Sequence, residues 1–189
     1  GGEPFKQPVE NLRAIAVIDP RATMQVFLRQ GSGIDSLEQV RSEKKPVRVA
    51  VNQRGTMMAI AAEELLEAYG IGAKNIESWG GKMHYVSFND GLEMMKNKQA
   101  DVIINLLAFP SGQIASATRE MQVQMLGLSP DAVAKLDKAV GTTPIQVPAK
   151  TYEFQPAPLD TVTATVVLFA SASMSDDDAG KIVNAMLKH

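Results

Sequence analysis

Cysteine is absent from this 189-residue chain, and histidine occurs only at His84 and His189. Without thiols, disulfide frameworks, thiolate zinc sites, iron–sulfur clusters and cysteine nucleophiles are all excluded. Two histidines also exclude a multi-histidine metal site. A transmembrane helix needs roughly 18–20 apolar residues in a row, and the longest apolar runs, Val102–Phe109 and Val166–Ala172, are only as long as strands. The composition therefore excludes much metal and redox chemistry, and we expect no cofactor.

A marked excess of one charge is also absent. The chain has 19 Lys and Arg against 21 Asp and Glu, a formal net charge of -2. A general nucleic-acid binder needs a basic face to neutralise phosphates, so this balance argues against nucleic acid as a partner. The N-terminal stretch Gly1–Pro8 has neither a charged segment nor an apolar core, and it is not a signal peptide.

Strand-like apolar runs alternate with helical patterns from about residue 47 onward. The helix signals include Gly70 as a C-terminal stop after Met57–Tyr69, and the cap Ser129-Pro130-Asp131. Four strand–helix pairs in succession predict an α/β fold with a parallel sheet and helices on both faces. The predicted strands are 47–51, 84–88, 101–108 and 123–128, and the predicted helices are 57–69, 89–98 (with Asn89 as N-cap), 110–120 and 130–140.

The two flanks of this central stretch predict a second lobe. Two strands are expected before residue 45, at Leu12–Ile18 and Thr23–Arg29, followed by a short helix at Ser36–Val40. The proline-rich stretch Thr143–Pro158 indicates an extended connector. A strand at 161–170 and a helix capped by Ser175, with Asp176-Asp177-Asp178 in its first turn, complete the chain. We therefore expect residues 46–146 to form one complete lobe, and residues 1–45 and 147–189 to form part of another.

The turn between the first of these central strands and its helix is the most informative candidate site. It reads Asn52-Gln53-Arg54-Gly55-Thr56-Met57. At a helix start, the backbone N–H groups of Gly55, Thr56 and Met57 lack helical partners. Together with the helix dipole and Arg54 they suit an anion, and the Thr56 hydroxyl can cap the helix or bind a ligand. The alternative is a well-capped helix beside an exposed arginine.

The equivalent turn after another central strand reads Phe109-Pro110-Ser111-Gly112. A small turn there lets the backbone approach a ligand, and Phe109 can cover it, although simple helix-start chemistry explains the same residues. Ser111 as a nucleophile needs a positioned base, and His84, three residues before Ser87, has no evident acid partner. We therefore expect no catalytic triad.

Several segments, in order, resemble the TAXI-type solute receptors of TRAP (tripartite ATP-independent periplasmic) transporters. The resemblance covers nearly the whole chain and rests on the ordered set of segments. The matching segments are Gly2-Glu3-Pro4-Phe5, 11–16, Ser32-Gly33-Ile34-Asp35-Ser36-Leu37, Val47-Arg48-Val49-Ala50-Val51, Gly55-Thr56, 61–71, Tyr85-Val86-Ser87-Phe88, 100–103, Phe109-Pro110, Val147-Pro148-Ala149-Lys150-Thr151-Tyr152 and Asp160-Thr161-Val162.

This resemblance implies a two-lobed fold of the type II periplasmic-binding-protein kind, with ligand enclosed between α/β lobes. It implies a periplasmic or extracytoplasmic receptor that binds a small organic anion, such as a dicarboxylate or an acidic amino acid, and delivers it to the membrane permease of a TRAP transporter. It implies no catalysis. Lobe closure is expected about two crossings, near Lys45-Pro46 and Val147–Tyr152.

The chain departs from the family at the candidate site and at its ends. The 52–56 loop lacks the first Gly-Ser of the family's motif, and Leu107-Ala108-Phe109 replaces a more glycine-rich turn. The resemblance also implies that the chain starts after the family's first βαβ units and stops before its closing segment, which leaves the first lobe incomplete. An incomplete sheet exposes a strand edge, so we expect a homodimer or strand exchange.

Two other functions stay open at this stage. A ligand-sensing or interaction module derived from the same fold is the first, because the first lobe is expected to be incomplete. An enzyme that acts on a bound oxoacid is the second, although the sequence offers it one internal histidine, no cysteine and no paired carboxylates at a strand end.

Overall fold

The computed structural model describes residues 9–188, in which strands and helices alternate along most of the chain. The segment Gly2-Glu3-Pro4-Phe5, which entered the family resemblance, lies outside the described residues. The strands are β1 (Leu12–Arg29), β2 (Arg48–Val51), β3 (Lys82–Tyr85), β4 (Val102–Leu107), β5 (Val123–Leu126), β6 (Thr143–Val147) and β7 (Leu159–Ser171). The helices are α1 (Leu37–Glu43), α2 (Met57–Ala68), α3 (Ala73–Ser78), α4 (Phe88–Lys96), α5 (Gly112–Ala117), α6 (Pro130–Val140) and α7 (Asp176–Met186).

The strands join in one hydrogen-bonded order, β3-β2-β4-β1-β7-β6, and β5 also pairs with β1. The predicted α/β fold is confirmed, and β2 runs parallel to β3 and β4. The four strands predicted for the central stretch, β2 to β5, all run in the same direction, as expected, and β1, whose place in the sheet was not predicted, runs antiparallel to both β4 and β5. β1 lies at the centre of the sheet, with strands on both edges and helices on both faces, and Met24 to Leu28 are accordingly at most 2% exposed.

Two apolar clusters form the core, and the alternation of β1 assigns them to opposite faces of the sheet. Val26 and Leu28 belong to one cluster, together with residues of α2 and α6, whereas Phe27 belongs to the other, together with residues of α4 and Tyr152. Successive strand residues point to opposite faces. Helices therefore cover both faces, as predicted.

The chain divides into two compact units. One runs from Ala22 to Ala164, and the other combines the residues up to Arg21 with those from Thr165 onward. The chain passes between the units inside β1 and β7, whereas the predicted lobe boundaries fall at residues 45–46 and 146–147. Both predicted crossings lie within the larger unit, because its central strand is the second half of β1. The assignment of these units to receptor lobes stays a prediction.

Four local predictions need correction. The two expected strands before residue 30 are one continuous strand through Pro20, since an exposed proline without an N–H group is tolerated away from the centre of a sheet. Part of the expected connector is β6, at the end of the strand order, where Pro144 is again tolerated. The strand expected at His84–Phe88 ends at Tyr85, and Ser87, not Asn89, caps α4. Helix α3 (Ala73–Ser78) was not predicted from the sequence.

Three predicted helix starts and one predicted helix end are confirmed, whereas the helix expected at 110–120 spans only Gly112–Ala117. Thr56, Ser129 and Ser175 cap α2, α6 and α7 through side-chain bonds to backbone N–H groups. Gly70 follows α2 with a φ of +70°, and the Ile71 N–H donates to Leu66 O at 2.9 Å, so the turn closes as predicted. None of the helices among residues 9–188 is long and apolar enough to cross a bilayer.

Candidate functional site

Both candidate turns lie at the carboxyl ends of parallel strands in the larger unit. β2 and β4 pair directly, with Val49 opposite Val102 and Ala50 opposite Ile103. The turn at 52–57 leaves β2 and leads into α2, and the turn at 109–111 leaves β4 and leads into α5. This edge of an open α/β sheet is where ligands commonly bind. The topology therefore places both predicted turns at one edge of the sheet.

The 52–57 turn is held by its own polar groups. Asn52 is buried, and its Oδ1 accepts the Gln53 N–H at 3.0 Å. The Thr56 hydroxyl donates to Gln53 O at 2.8 Å and accepts the Ala59 N–H at 3.2 Å. Of the two roles expected for this hydroxyl, capping is the one the structure shows. Gly55 has a φ of +81°, a conformation that glycine adopts without strain.

Arg54 is the cation of this turn, and an aromatic ring sets its position. Its guanidinium carbon lies 3.5 Å from the centre of the Tyr85 ring, a cation–π contact. The Tyr85 hydroxyl donates to Glu63 on α2. Burial and the neighbouring Glu63 raise the pKa of Tyr85 to about 12, so the ring stays neutral. Among residues 9–188, no carboxylate forms an ion pair with Arg54, so its charge is available to a ligand.

The start of α2 differs from the starts of the other long helices. Acidic side chains in the first turn face the positive end of the dipole in α4 (Asp90), α6 (Asp131) and α7 (Asp176, Asp177 and Asp178). Within the described part of the chain, α2 is the one helix of eight or more residues without such an acid. Its first residue, Met57, is 43% exposed. The positive end of α2 is therefore uncompensated and open.

The 109–111 turn is fixed from behind by two buried side chains. The Ser111 N–H donates to the Tyr152 hydroxyl at 2.9 Å, and that hydroxyl donates to Gln25 Oε1 at 2.7 Å. The Gln25 amide donates to Leu107 O at 3.0 Å. Ser111 makes no side-chain cap bond, so its hydroxyl is the group that this turn can offer a ligand. Pro110 is exposed, and Phe109 packs partly against the apolar cluster around Phe27.

A row of buried amide side chains lies along the sheet between the two turns. Asn52 donates to Asn105 Oδ1 at 3.4 Å, and Asn105 stands opposite Gln25 in the register of β4 and β1. All three side chains are at least nine-tenths buried. Burying polar groups is costly unless they are hydrogen-bonded. Sequence reasoning missed Asn105, Gln25 and Tyr152, although a polar residue within a buried apolar strand is a signal that marks the first two.

Outside the two turns, the hydroxyl of Ser87 and the acids of α7 make contacts within or at the start of their own helices. The Ser87 hydroxyl caps α4 and donates to Asp90 Oδ2 at 2.7 Å. His84 lies within β3, where burial, and then the nearby cations Lys82 and Arg48, lower its pKa. Asp177 and Asp178 pair with Lys181 on α7. In residues 9–188, no group of three or more histidines or acids is arranged to hold a metal ion.

A separate cavity of about 570 Å³ lies between α6, β6 and β7, away from both candidate turns. It is lined mainly by apolar groups, among them Leu128, Val133 and Ile145, with the carboxylates of Asp137 and Asp160 at its margin. None of the predicted site residues lines it.

Several solved structures resemble this chain at low identity. BugD, a periplasmic binding protein, has a TM-score of 0.49 at 13% identity, with 92% of this chain and 52% of that chain covered. A putative L-cystine ABC transporter protein from Listeria monocytogenes has 0.48 at 12%, covering 99% and 61%. The periplasmic aliphatic sulphonate binding protein SsuA from Escherichia coli has 0.46 at 10%, covering 94% and 45%.

The chain thus spans between 45% and 61% of the length of these three proteins. No curated protein matches the sequence. The model of one protein family matches the whole chain, residues 1–189, and the chain belongs to that family, the NMT1-like family.

Proposed function

We propose that this chain is the solute-binding part of an extracytoplasmic receptor, which captures a small organic anion for a membrane transporter. The ligand class is a dicarboxylate or an acidic amino acid, and the transporter is of the TRAP type, as the family resemblance implies. In this role the protein holds its ligand without transforming it, and it is not an enzyme. Its site lies on the larger unit, where the 52–57 turn binds the anionic group.

The start of α2 is the observation that carries this proposal. An open, uncompensated helix N-terminus offers backbone N–H donors and a positive potential to an anion. Arg54 stands in the same turn, free of ion pairs among the described residues and held against the Tyr85 ring at 3.5 Å. A guanidinium forms paired hydrogen bonds with a carboxylate, sulfonate or phosphonate group. Two independent sources of positive charge thus converge on one turn.

The second turn completes the proposed site. Its contribution is the Ser111 hydroxyl together with the apolar flank of Phe109 and Pro110, because the Ser111 N–H is already bound to Tyr152. Asn52, Gly55, Thr56 and Met57 shape the first turn. Of these, Met57 supplies a first-turn N–H that has no helical partner.

A ligand panel tests this function. We expect glutamate, 2-oxoglutarate or succinate to raise the melting temperature of the chain, because a ligand that binds only the folded state stabilises it. An alkanesulfonate, an alkylphosphonate and neutral glutamine complete the panel and separate the anionic headgroups from an uncharged analogue. Calorimetric titration of the ligand that gives the largest shift then measures the dissociation constant.

The substitution Arg54→Gln should weaken binding of that ligand about 10- to 100-fold, since hydrogen bonds to charged groups contribute roughly 1.5–3 kcal/mol. Arg119→Gln is the matched control, because Arg119 is exposed, follows α5 and loses the same charge. Equal affinities for all three proteins would refute the assignment of the anion to this turn. If no member of the panel shifts the melting temperature, the chain is not a working receptor for these anions, and the sensing or interaction module becomes the better description.

A second copy of the chain is the partner we propose for the smaller unit. Among residues 9–188, the outer halves of β1 and β7 pair with each other alone, with the Ala172 N–H donating to Asn11 O at 2.8 Å, and the registers of β4 and β6 end before they reach this ribbon. Val17, Ile18 and Phe169 on the ribbon are each more than half exposed, and α7 has no buried residue. Unpaired edges and exposed apolar side chains favour strand pairing between chains.

A further inference from the structure

Tyr152 is brought to the 109–111 turn by a short loop that is bonded to itself. The Thr151 hydroxyl donates to Pro148 O at 2.8 Å, and the Gln155 amide donates to both Pro148 O at 3.0 Å and Ala157 O at 2.7 Å. Tyr152 is 4% exposed, and its ring stacks on Phe154 with 5.3 Å between the centroids. The loop and the ring packing leave the hydroxyl little freedom to move.

That hydroxyl and Gln25 hold both ends of the turn between β4 and α5. Tyr152 accepts the Ser111 N–H at the start of the helix, and Gln25 binds the carbonyl of Leu107 at the end of the strand. The hydrogen bond between Tyr152 and Gln25, at 2.7 Å, ties the two attachments together. Burial raises the pKa of the Tyr152 hydroxyl, against the effect of the bonds to Ser111 and Gln25, so the donor stays protonated.

We infer that Tyr152 and Gln25 are positioning residues, which set the ligand affinity of the 109–111 turn without touching the ligand. This inference rests on the proposed function, because it concerns the same anion site. A turn that is ordered before binding loses less conformational entropy when the ligand arrives. Freeing the turn from the Tyr152 hydroxyl should therefore weaken binding, even though the candidate contact groups Arg54 and Ser111 are unchanged.

The experiment compares two tyrosine-to-phenylalanine variants. Tyr152→Phe removes the hydroxyl and keeps the ring. Tyr69→Phe is the matched control, since Tyr69 is also buried and its hydroxyl also accepts, at 2.9 Å, the N–H of a helix-capping serine, Ser129. We expect both variants to lower the melting temperature, and Tyr152→Phe to lower it more, because it also leaves the buried Gln25 Oε1 without its donor. Only Tyr152→Phe should weaken binding of the anion identified in the panel, by about three- to tenfold, the equivalent of one hydrogen bond.

Amide hydrogen exchange supplies a measurement that needs no ligand. The Ser111 and Ser129 amides of the unchanged protein should both be protected, and each variant should lose protection at its own serine. Fast exchange at Ser111 in the unchanged protein would overturn the inference, and it would do so even if Tyr152→Phe failed to fold. Unchanged affinity in Tyr152→Phe, or equal weakening in Tyr69→Phe, would also overturn it while leaving the proposed function in place. If the unchanged protein binds no anion, the proposed function and this inference fall together.

Discussion

The charge cluster at Asp101 gives the sharpest stability prediction. The Asp101 side chain is 7% exposed and joins three segments of the sheet. Arg29 at the end of β1 donates to it at 2.7 Å, and Arg48 at the start of β2 donates through Nε at 2.8 Å, Nη2 at 2.7 Å and the backbone N–H at 3.1 Å. Asp101 itself precedes β4. The cluster thus links β1 and β2 to the start of β4, the strand between them, and the candidate site lies on β2 and β4.

Asp101→Asn keeps the size of the side chain and removes its charge. The Arg48 side chain is 41% exposed, so water screens its share of the interaction, whereas Arg29 is only 14% exposed. Removing one partner of a buried pair typically costs about 3–5 kcal/mol. Because water weakens the interaction between Arg48 and Asp101, we expect a somewhat smaller loss, about 2–4 kcal/mol in the free energy of unfolding at pH 7. The melting temperature should fall by roughly 2–4 °C for each kcal/mol.

The loss should also depend on pH in a defined direction. Burial alone would raise the pKa of Asp101, but the hydrogen bonds from Arg48 and Arg29 outweigh it, so the folded-state pKa lies below its ordinary value. A lowered folded-state pKa contributes stability that is fully present above the unfolded value of about 3.9 and is lost as the pH falls through the folded-state pKa. The difference between the two proteins should therefore be constant from pH 7 to about 5 and shrink below about 4.

Urea unfolding of both proteins at pH 7, 5 and 3.5 measures this difference. Asp160→Asn is the control, since Asp160 is exposed and, within residues 9–188, its side chain bonds to Gln146 alone. This control should change stability by less than about 0.5 kcal/mol. A loss below about 1 kcal/mol in Asp101→Asn at pH 7, or a difference that grows as the pH falls from 5 to 3.5, would show that the two arginines do not stabilise the fold through the Asp101 charge.

Two further predictions concern the packing of β3 and the smaller unit. Gly81→Ala should lower the free energy of unfolding, measured in urea, by roughly 3 kcal/mol, because its Cβ would lie 2.3 Å from the backbone oxygen of Val47. Gly112→Ala is the control and should be nearly neutral, since a Cβ there meets nothing within 4 Å. Equal stabilities of the two variants would contradict the close packing of Gly81 on Val47. Sedimentation of the chain should show a dimer through the β1–β7 ribbon, and Val17→Lys with Phe169→Lys should shift it toward the monomer. A clean monomer of the unchanged chain would remove the proposed second copy.

Local sequence signals predicted most of the secondary structure of the larger unit. Ser129-Pro130-Asp131 and Gly70 mark helix ends through hydrogen bonds between residues close in the chain, so no distant contact is needed to interpret them. The position and direction of β1 were not predicted. β1 pairs antiparallel with β4 and with β5, and these pairings join residues about 75–100 positions apart, such as Phe27 opposite Ile103 and Met125. Local patterns in the sequence carry no information about contacts at that distance.

In the candidate site, too, the features formed by consecutive residues could be predicted, and those formed by distant segments could not. The 52–57 turn could be predicted because its strand, glycine and capping threonine are consecutive in the chain. Tyr85 beneath Arg54, and Tyr152 with Gln25 behind Ser111, come from other strands and loops. Their roles depend on which strands are neighbours in the sheet. Asn105 and Gln25, each a polar residue within an apolar strand, are the local signs that polar partners were needed.

An NMR titration of the chain, with the anion that gives the largest melting shift in the panel, locates the binding site without any substitution. Backbone amide shifts report which residues surround the bound ligand. We predict that the largest changes fall on Arg54, Gly55, Met57 and Met58, with smaller changes at Ser111. Changes confined to the cavity between α6, β6 and β7, around Val133 and Ile145, would contradict the assignment of the anion to the start of α2.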